Sequence, residues 1–337
     1  MPARFSTPPN QVAVSGANKL ASLVGKKGQF QYRYDAATGE RLGGYNVLRH
    51  CGAIWSMAAA ATEIRKPVKL SSSCGLALNY LFREFLRHTG AGEAQCVVEK
   101  NMVKLGGNGL AILAILACHK LSPDDSLLST ARSLGRYIVG EARPDRDFHH
   151  KRSFPEGKLQ EFRSGYYTGE ALFALAALYE ATGEREWLET ALESELALAG
   201  RGYGIEEQSH WCLYAIDKMH EFEPLPELYE HGRKIVEHII DHPDYRARKQ
   251  CTPIACRSEG MLAFLRTAHR AKIATDVAFH QRCLAETEEN LRLQLQYRRP
   301  DGAFIQGEGK NLVRIDFIQH NLSSFLDYHR FVRDGGI

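Results

Sequence analysis

Apolar residues occur along this chain in two kinds of helical segment. In one kind the helix is apolar on nearly every face, as in Leu110–Ala117, and such a helix is expected to be buried. In the other kind apolar residues recur at helical spacing on one face only, as in residues 225–241. The two kinds alternate, which predicts an inner layer of buried helices and an outer layer that faces the solvent.

A short polar segment precedes each of the buried helices, near residues 45, 108, 166, 210, 257 and 316. Polar side chains at the end of a buried helix are costly unless they are paired or used, so we expect the six segments to converge on one cavity. A helix over residues 9–26 can pair with the last helix, 316–333, and close the circle. The pattern predicts one all-α domain over residues 1–337, an (α/α)6 toroid of inner and outer helices. An open α-solenoid is the structural alternative.

A few short strands are expected in the loops between the helices, and four further segments are expected to be irregular. We expect residues 1–10 to be flexible and residues 143–164, which lack strong periodicity, to form a long loop at the mouth of the cavity. The glycine-rich run 106–109 is expected to be a turn. Residues 250–257 are expected to be a loop that leads into the buried helix 258–271.

Composition and charge exclude several classes of function. The chain has 43 Lys and Arg residues against 40 Asp and Glu, a balance that does not favour nucleic acid or an anionic membrane as a partner. No run of about 18 apolar residues occurs, so no transmembrane helix is predicted. The first residues lack the apolar segment of a secretory signal. The eight cysteines are scattered without a C-x-x-C pair, which indicates reduced thiols in a cytoplasmic protein.

Carboxylates and histidines in the polar segments are the candidates for acid–base catalysis. Asp316 and His320 are four residues apart and share a helical face, where Asp316 could orient or charge the imidazole. For each candidate the alternative is a structural role, such as a buried ion pair that fixes helix packing. The full set of catalytic candidates is Glu170, His210, Glu259, Asp316 and His320.

Aromatic and basic side chains in the same segments are the candidates for substrate binding. Aromatic platforms beside a titratable group are typical of sugar sites, although a single core aromatic is commoner. An arginine could clamp a carboxylate or a phosphate. One such pair is weak evidence, and its recurrence in several segments supports the prediction. The candidates are Tyr45, Arg49, His50, Tyr166, Tyr167, Trp211, Tyr214, Arg257 and Asn321.

Other catalytic and cofactor motifs are not found in the sequence. It contains no G-x-G-x-x-G before a helix, no P-loop, no G-x-S-x-G and no H-E-x-x-H. No cysteine or carboxylate pattern indicates a zinc site. We therefore expect no cofactor and no metal, and a small molecule or a glycan as the ligand.

The layout of residues 40–334 resembles the six-hairpin toroid superfamily of carbohydrate-active proteins, which includes glycoside hydrolases and the N-acylglucosamine 2-epimerases. In the epimerases, histidines on the fourth and sixth inner helices serve as acid and base, and the resemblance assigns these roles to His210 and His320. The epimerases' tryptophan-rich helix and the basic residue directly after their last histidine are not found here. The paired aspartate motifs of the unsaturated glucuronyl hydrolases are also absent.

The sequence predicts a carbohydrate-active enzyme that works by acid–base chemistry in the cavity, and it favours the first of three functions. The first is a glycoside hydrolase, in which two of the three carboxyl groups of Glu170, Glu259 and Asp316 would flank a glycosidic bond. The second is a sugar epimerase or isomerase, in which His210 and His320 would exchange a proton on a carbon next to a carbonyl group. The third is a helical scaffold that binds a glycan or a peptide without chemistry.

Overall fold

The toroidal arrangement of helices predicted from the sequence is confirmed. A computed structural model describes residues 5–63, 68–90, 94–245, 247, 249–272 and 276–336. Within these residues twelve helices alternate along the chain between an outer and an inner layer. The outer helices are α1 (Pro9–Leu23), α3 (Val68–Phe85), α5 (Asp125–Gly140), α7 (Arg185–Ala199), α9 (Pro226–Asp241) and α11 (Val277–Gln296).

The inner helices form a closed ring, because each contacts the next and the last contacts the first. Helix α1 packs against both the last and the first helix of this ring and closes the outer layer. An open solenoid is thereby excluded. The inner helices are α2 (Val47–Glu63), α4 (Leu105–Leu121), α6 (Tyr167–Thr182), α8 (His210–His220), α10 (Cys251–Ala271) and α12 (Ile315–Arg333).

Short antiparallel strands connect to the helices at the end of the ring where the inner helices begin. In the larger sheet the strand order is β2, β3, β4, β5, and the smaller sheet pairs β1 with β6. Strand β4 runs directly into α4, and β6 runs directly into α12. The strands are β1 (Arg33–Asp35), β2 (Leu86–His88), β3 (Gln95–Glu99), β4 (Met102–Lys104), β5 (Lys151–Ser153) and β6 (Leu312–Arg314).

Two segments predicted to be turns or loops are helical. The glycines of residues 106–109 lie in the first turn of α4, and residues 251–257 form the first two turns of α10. Glycines at 106 and 109 allow α4 to approach α6 closely, so their function is packing and not a turn. The early start of α10 places Arg257 and Glu259 inside the helix.

Described residues of the other two segments, 1–10 and 143–164, contact the rest of the protein. Of residues 1–10, the first four lie outside the described residues, while the Phe5 ring packs edge-on against Tyr328 and Pro9 begins α1. Residues 143–164 include β5, and the backbone N–H of Ser164 donates to Nδ1 of His150 at 2.9 Å. This segment is therefore held by hydrogen bonds, and Ser164 reaches the cavity described below.

Two further features agree with the composition of the chain. All eight cysteines are free thiols. None of the described helices has the combination of length and apolar character that a membrane crossing requires.

A buried pair of side chains links two of the outer helices. Nδ1 of His231 on α9 lies 2.5 Å from Oε1 of Glu195 on α7, and Nε2 of His231 lies 2.9 Å from the carbonyl oxygen of Tyr203. Since both ring nitrogens face acceptors, the imidazole is stabilised with both protons. Burial alone would lower the pKa of His231, but the Glu195 carboxylate raises it above the ordinary value.

We expect the His231→Leu variant to lose about 3–5 kcal/mol of unfolding free energy at mildly acidic pH, because it leaves Glu195 buried without its partner. Because folding raises the pKa of His231, its protonation stabilises the folded protein. This stabilisation is complete at pH values below the unfolded-state pKa of about 6.5, and it is lost as the pH rises through the folded-state pKa. Urea denaturation at a series of pH values measures the difference, with His242→Gln beyond the end of α9 as the control. A difference that does not shrink with rising pH would contradict this account.

Candidate active site

A cavity of about 450 Å³ lies at the end of the ring where the inner helices begin. Every inner helix contributes lining residues from its first turns. Unpaired backbone N–H groups and the positive end of the helix dipole favour polyhydroxylated or anionic ligands at such positions. The lining residues predicted from the sequence are Arg49, Tyr166, Tyr167, Glu170, His210, Trp211, Arg257, Asp316 and His320.

Glu259 and two histidines form the most enclosed part of the site. The Glu259 side chain is fully buried, and its Oε2 lies 2.8 Å from Nδ1 of His320 on α12. The same oxygen lies 4.0 Å from Nε2 of His210 on α8. The two imidazole rings are nearly perpendicular, with centroids 5.4 Å apart. Glu259 thus lies behind both histidines, and the histidines face the cavity.

The two histidines have opposite pKa shifts. Burial lowers the pKa of His210 well below its ordinary value, and the neighbouring charge of His320 lowers it further. Burial also acts to lower the pKa of His320, but Cys256 and Glu259 beside it raise that pKa well above its ordinary value. At neutral pH His210 is therefore a neutral imidazole, and His320 is an imidazolium paired with Glu259. One can accept a proton while the other can donate one.

Close helix packing fixes the position of His210. A Cβ atom at Gly260 on α10 would lie 3.2 Å from Cα of His210, and one at Gly169 on α6 would lie 2.9 Å from Cβ of Trp211. Ser209 caps α8 by accepting a hydrogen bond from the N–H of Cys212. The glycines therefore allow three inner helices to approach closely at the level of the cavity.

Asp316 forms a buried ion pair, which is the structural alternative to orienting His320. Its carboxylate accepts hydrogen bonds from the guanidinium of Arg314, and it also lies 3.0 Å from Nε of Arg49 on α2. The guanidinium of Arg49 also donates a hydrogen bond to the hydroxyl oxygen of Tyr32. The spacing of four residues did place Asp316 and His320 on one face, but two arginines hold the carboxylate and Glu259 is the partner of the histidine.

Four candidates lie away from the cavity lining, so the structure does not bring them together with the others. His50 is fully buried beneath α3, where Nε2–H donates to the Ala77 carbonyl oxygen and Nδ1 accepts from the hydroxyl of Tyr45. Asn321 faces the outer layer, where its Oδ1 accepts from Gln294. Tyr214 lines a separate cavity at the opposite end of the ring and donates to Asp327. Helical spacing alone could not determine which face of each helix meets the cavity.

Several lining residues were not predicted from the sequence. Cys256 lies one helical turn before Glu259 on α10, so an i, i+3 search from Glu259 would have found it. Arg314 is brought to the site by the pairing of β6 with β1, which no local pattern reveals. The remaining members are Asn46, Leu48, Leu110, Ser164, Glu207, Gln208, Thr252, Pro253 and Gln319.

The same cluster contains donors that could hold a metal ion. Donor atoms of His210, Cys256, Glu259 and His320 all lie within 4.8 Å of one another. Imidazole, thiolate and carboxylate together suit zinc best among the common divalent ions. The expectation of a metal-free site therefore stays a prediction, and the assay proposed below includes a test of it.

Comparison with known proteins identifies the fold. No family model matches the chain, and no curated protein matches it. A D-mannose isomerase structure superposes with a TM-score of 0.73 at 9% identity, covering 98% of this chain and 99% of that one. The cellobiose 2-epimerase of Spirochaeta thermophila gives 0.71 at 16% identity, covering 97% and 98%. A family 76 glycoside hydrolase from a bovine Bacteroides thetaiotaomicron strain gives 0.73 at 12%, covering 98% and 79%.

These likenesses establish that the chain has the (α/α)6 toroid fold. At such low identity they show no activity for this chain, since the same fold carries isomerases, epimerases and hydrolases. A function has to be argued from the residues of the cavity.

Proposed function

We propose that the protein is a sugar epimerase or isomerase that moves a proton on the carbon next to the carbonyl group of a reducing sugar. The observation that carries the proposal is the pair of cavity-lining histidines on α8 and α12, with ring centroids 5.4 Å apart and pKa shifts in opposite directions. Such a pair supplies both the base and the acid that this reaction requires.

In the proposed reaction His210 is the base. Its Nε2 is enclosed, lies 4.0 Å from Oε2 of Glu259 and has no hydrogen-bond partner among the described residues, so in the neutral imidazole this nitrogen can take up the proton from carbon. The electrons of the C–H bond form an enediolate, and the negative charge develops on the former carbonyl oxygen. Arg49 and Arg257 line the cavity as cations that can stabilise this oxygen.

His320 supplies the proton that completes the reaction. Returned to the opposite face of the same carbon, the proton gives the epimer. Returned to the former carbonyl carbon, with a proton moving between the two oxygens, it gives the isomeric ketose or aldose. Glu259 favours the imidazolium form of His320 before the transfer and fixes its ring through the bond to Nδ1.

The carboxyl groups favour this proposal over hydrolysis. A glycosidase needs two carboxyl groups that flank the bond to be cleaved. Asp316 is held by Arg49 and Arg314, and Glu259 is fully buried behind the histidines. Glu170 is then the one member of the predicted trio with an unpaired side chain in the described cavity lining.

The proposal is tested by proton exchange with the solvent. The protein is incubated in deuterium oxide with D-mannose, D-glucose, D-fructose and cellobiose, and proton NMR follows deuterium entering carbon 2 of the aldoses or carbon 1 of fructose. We expect incorporation into at least one sugar, accompanied by formation of its epimer or isomer. No exchange with any of them, alongside cleavage of glycans, would overturn the proposal in favour of hydrolysis.

The assay is repeated after dialysis against a chelator, with metal content measured on the same sample. We expect the exchange rate to be unchanged, because the histidines act on protons directly. A rate that falls on chelation and returns with zinc would show that the cluster acts through a metal instead.

A further inference from the structure

Glu170 is an acidic side chain in the cavity that the proposed reaction does not use. It lies in the first turn of α6, lines the cavity, and is 5% exposed. No hydrogen bond to its carboxyl oxygens occurs among the described residues, and Oε2 is enclosed without a partner. A buried carboxylate in this position would be strongly destabilised, whereas a neutral carboxyl group can remain there and donate a proton.

Two glycines of α4 form the enclosure around this carboxyl group. A Cβ atom at Gly106 would lie 1.8 Å from Oε2 of Glu170, and a Cβ at Gly109 would lie 2.7 Å from the Glu170 carbonyl oxygen. A side chain at position 109 would displace the backbone of α6, and one at position 106 would displace the Glu170 carboxyl group and the Tyr167 ring. The absence of side chains on α4 therefore provides the space in which the carboxyl group is seated.

The protonation of Glu170 agrees with this geometry. Burial raises its pKa to about 8, although the charge of His320 acts in the opposite direction. The group is then mostly protonated at neutral pH, and its pKa is close to the optimum for a general acid near that pH.

Reducing sugars present a difficulty that the two histidines do not address. A pyranose holds its carbonyl group as a cyclic hemiacetal, so the proton next to the carbonyl cannot be removed until the ring has opened. Opening requires a proton on the ring oxygen and loss of the proton from the anomeric hydroxyl.

We propose that Glu170 is the acid that opens the sugar ring before the histidines act; this rests on the proposed function for its substrate class. The carboxyl group gives its proton to the ring oxygen as the bond from that oxygen to the anomeric carbon breaks. The anomeric hydroxyl gives its proton to a water molecule of the cavity and becomes the aldehyde. The Glu170 carboxylate then recovers a proton from that water, so the step is balanced and repeatable.

Mutarotation tests this role separately from proton transfer at carbon. Crystalline α-D-glucose, α-D-mannose and α-cellobiose are dissolved with the protein, and polarimetry follows the approach to anomeric equilibrium. We expect the wild-type protein to accelerate mutarotation of at least one sugar, and Glu170→Gln to lower that acceleration by about 10²-fold. His210→Asn should retain it, because opening the ring does not need the base at carbon.

The control is Glu180→Gln, which changes another acid of α6 at the opposite end of the ring and should mutarotate the sugar as fast as the wild type. Wild-type protein that leaves all three mutarotation rates at the spontaneous value overturns the inference. So does a Glu170→Gln variant as fast as wild type, or a His210→Asn variant as slow as Glu170→Gln. Mutarotation that depends on Glu170 without any deuterium exchange would instead reject the proposed epimerase or isomerase and leave the ring-opening role intact.

Discussion

The His320→Asn and His210→Asn variants are each expected to lose the epimerase or isomerase rate by about 10²–10⁴-fold, the usual contribution of a positioned acid or base. Asparagine retains a hydrogen-bonding side chain of similar reach but does not exchange protons near neutral pH. The measurement is the rate of product formation by NMR, with folding checked by circular dichroism and thermal unfolding.

Both helices offer matched controls for these variants. His220 lies at the last position of α8, and His329 lies near the end of α12, so both are far along their helices from the cavity. His220→Asn and His329→Asn should therefore retain the wild-type rate. A loss of rate in these controls equal to that in the site variants would indicate general damage to the helices.

Exchange experiments on the same variants separate the two roles. Without His320, His210 can still remove a proton and return a deuteron to the same face of the carbon. We therefore expect His320→Asn to exchange one epimer with retention of configuration while forming little of the other. Loss of all exchange in His320→Asn would contradict the assignment of His210 as an independent base.

The fold could be predicted from the sequence because the degree to which a helix is buried determines which of its positions are apolar. Buried inner helices such as α4 are apolar all round, and amphipathic outer helices such as α9 carry one apolar face. The alternation of these two patterns determines the ring without knowledge of any side-chain contact. The prediction was wrong where a local pattern fits two structures. The glycines at the start of α4 are typical of a turn, but here they allow close packing against α6.

The site was predicted less completely, because it depends on pairings between helices. The spacing of Asp316 and His320 is local and was read correctly, but the partner of His320 is Glu259, 61 residues earlier on α10. Arg314 meets Asp316 and lines the cavity only because β6 pairs with β1. Nothing in one sequence indicates which of several nearby carboxylates a histidine will contact.

The second large effect is expected from Glu259→Gln, which removes the carboxylate beside His320 while keeping the shape of the side chain. Cys256 and Glu259 together oppose the effect of burial on His320, so losing the Glu259 charge leaves only Cys256 and the pKa of His320 falls from its raised value. The imidazolium is the proposed proton donor, and its deprotonation defines the alkaline limb of the pH–rate profile. The variant should therefore lose its rate at a lower pH than the wild type.

The sign of this shift separates the proposed role from simple loss of packing. At neutral pH the variant should be slower by about 10²-fold, and lowering the pH should restore part of the rate because it protonates His320 again. The measurement is kcat/KM for the identified sugar across the pH range in which both proteins remain folded. Glu180→Gln, at the opposite end of the ring, should leave the alkaline limb in place. A Glu259→Gln variant that is equally slow at every pH would show that Glu259 supports the fold and does not control the protonation of His320.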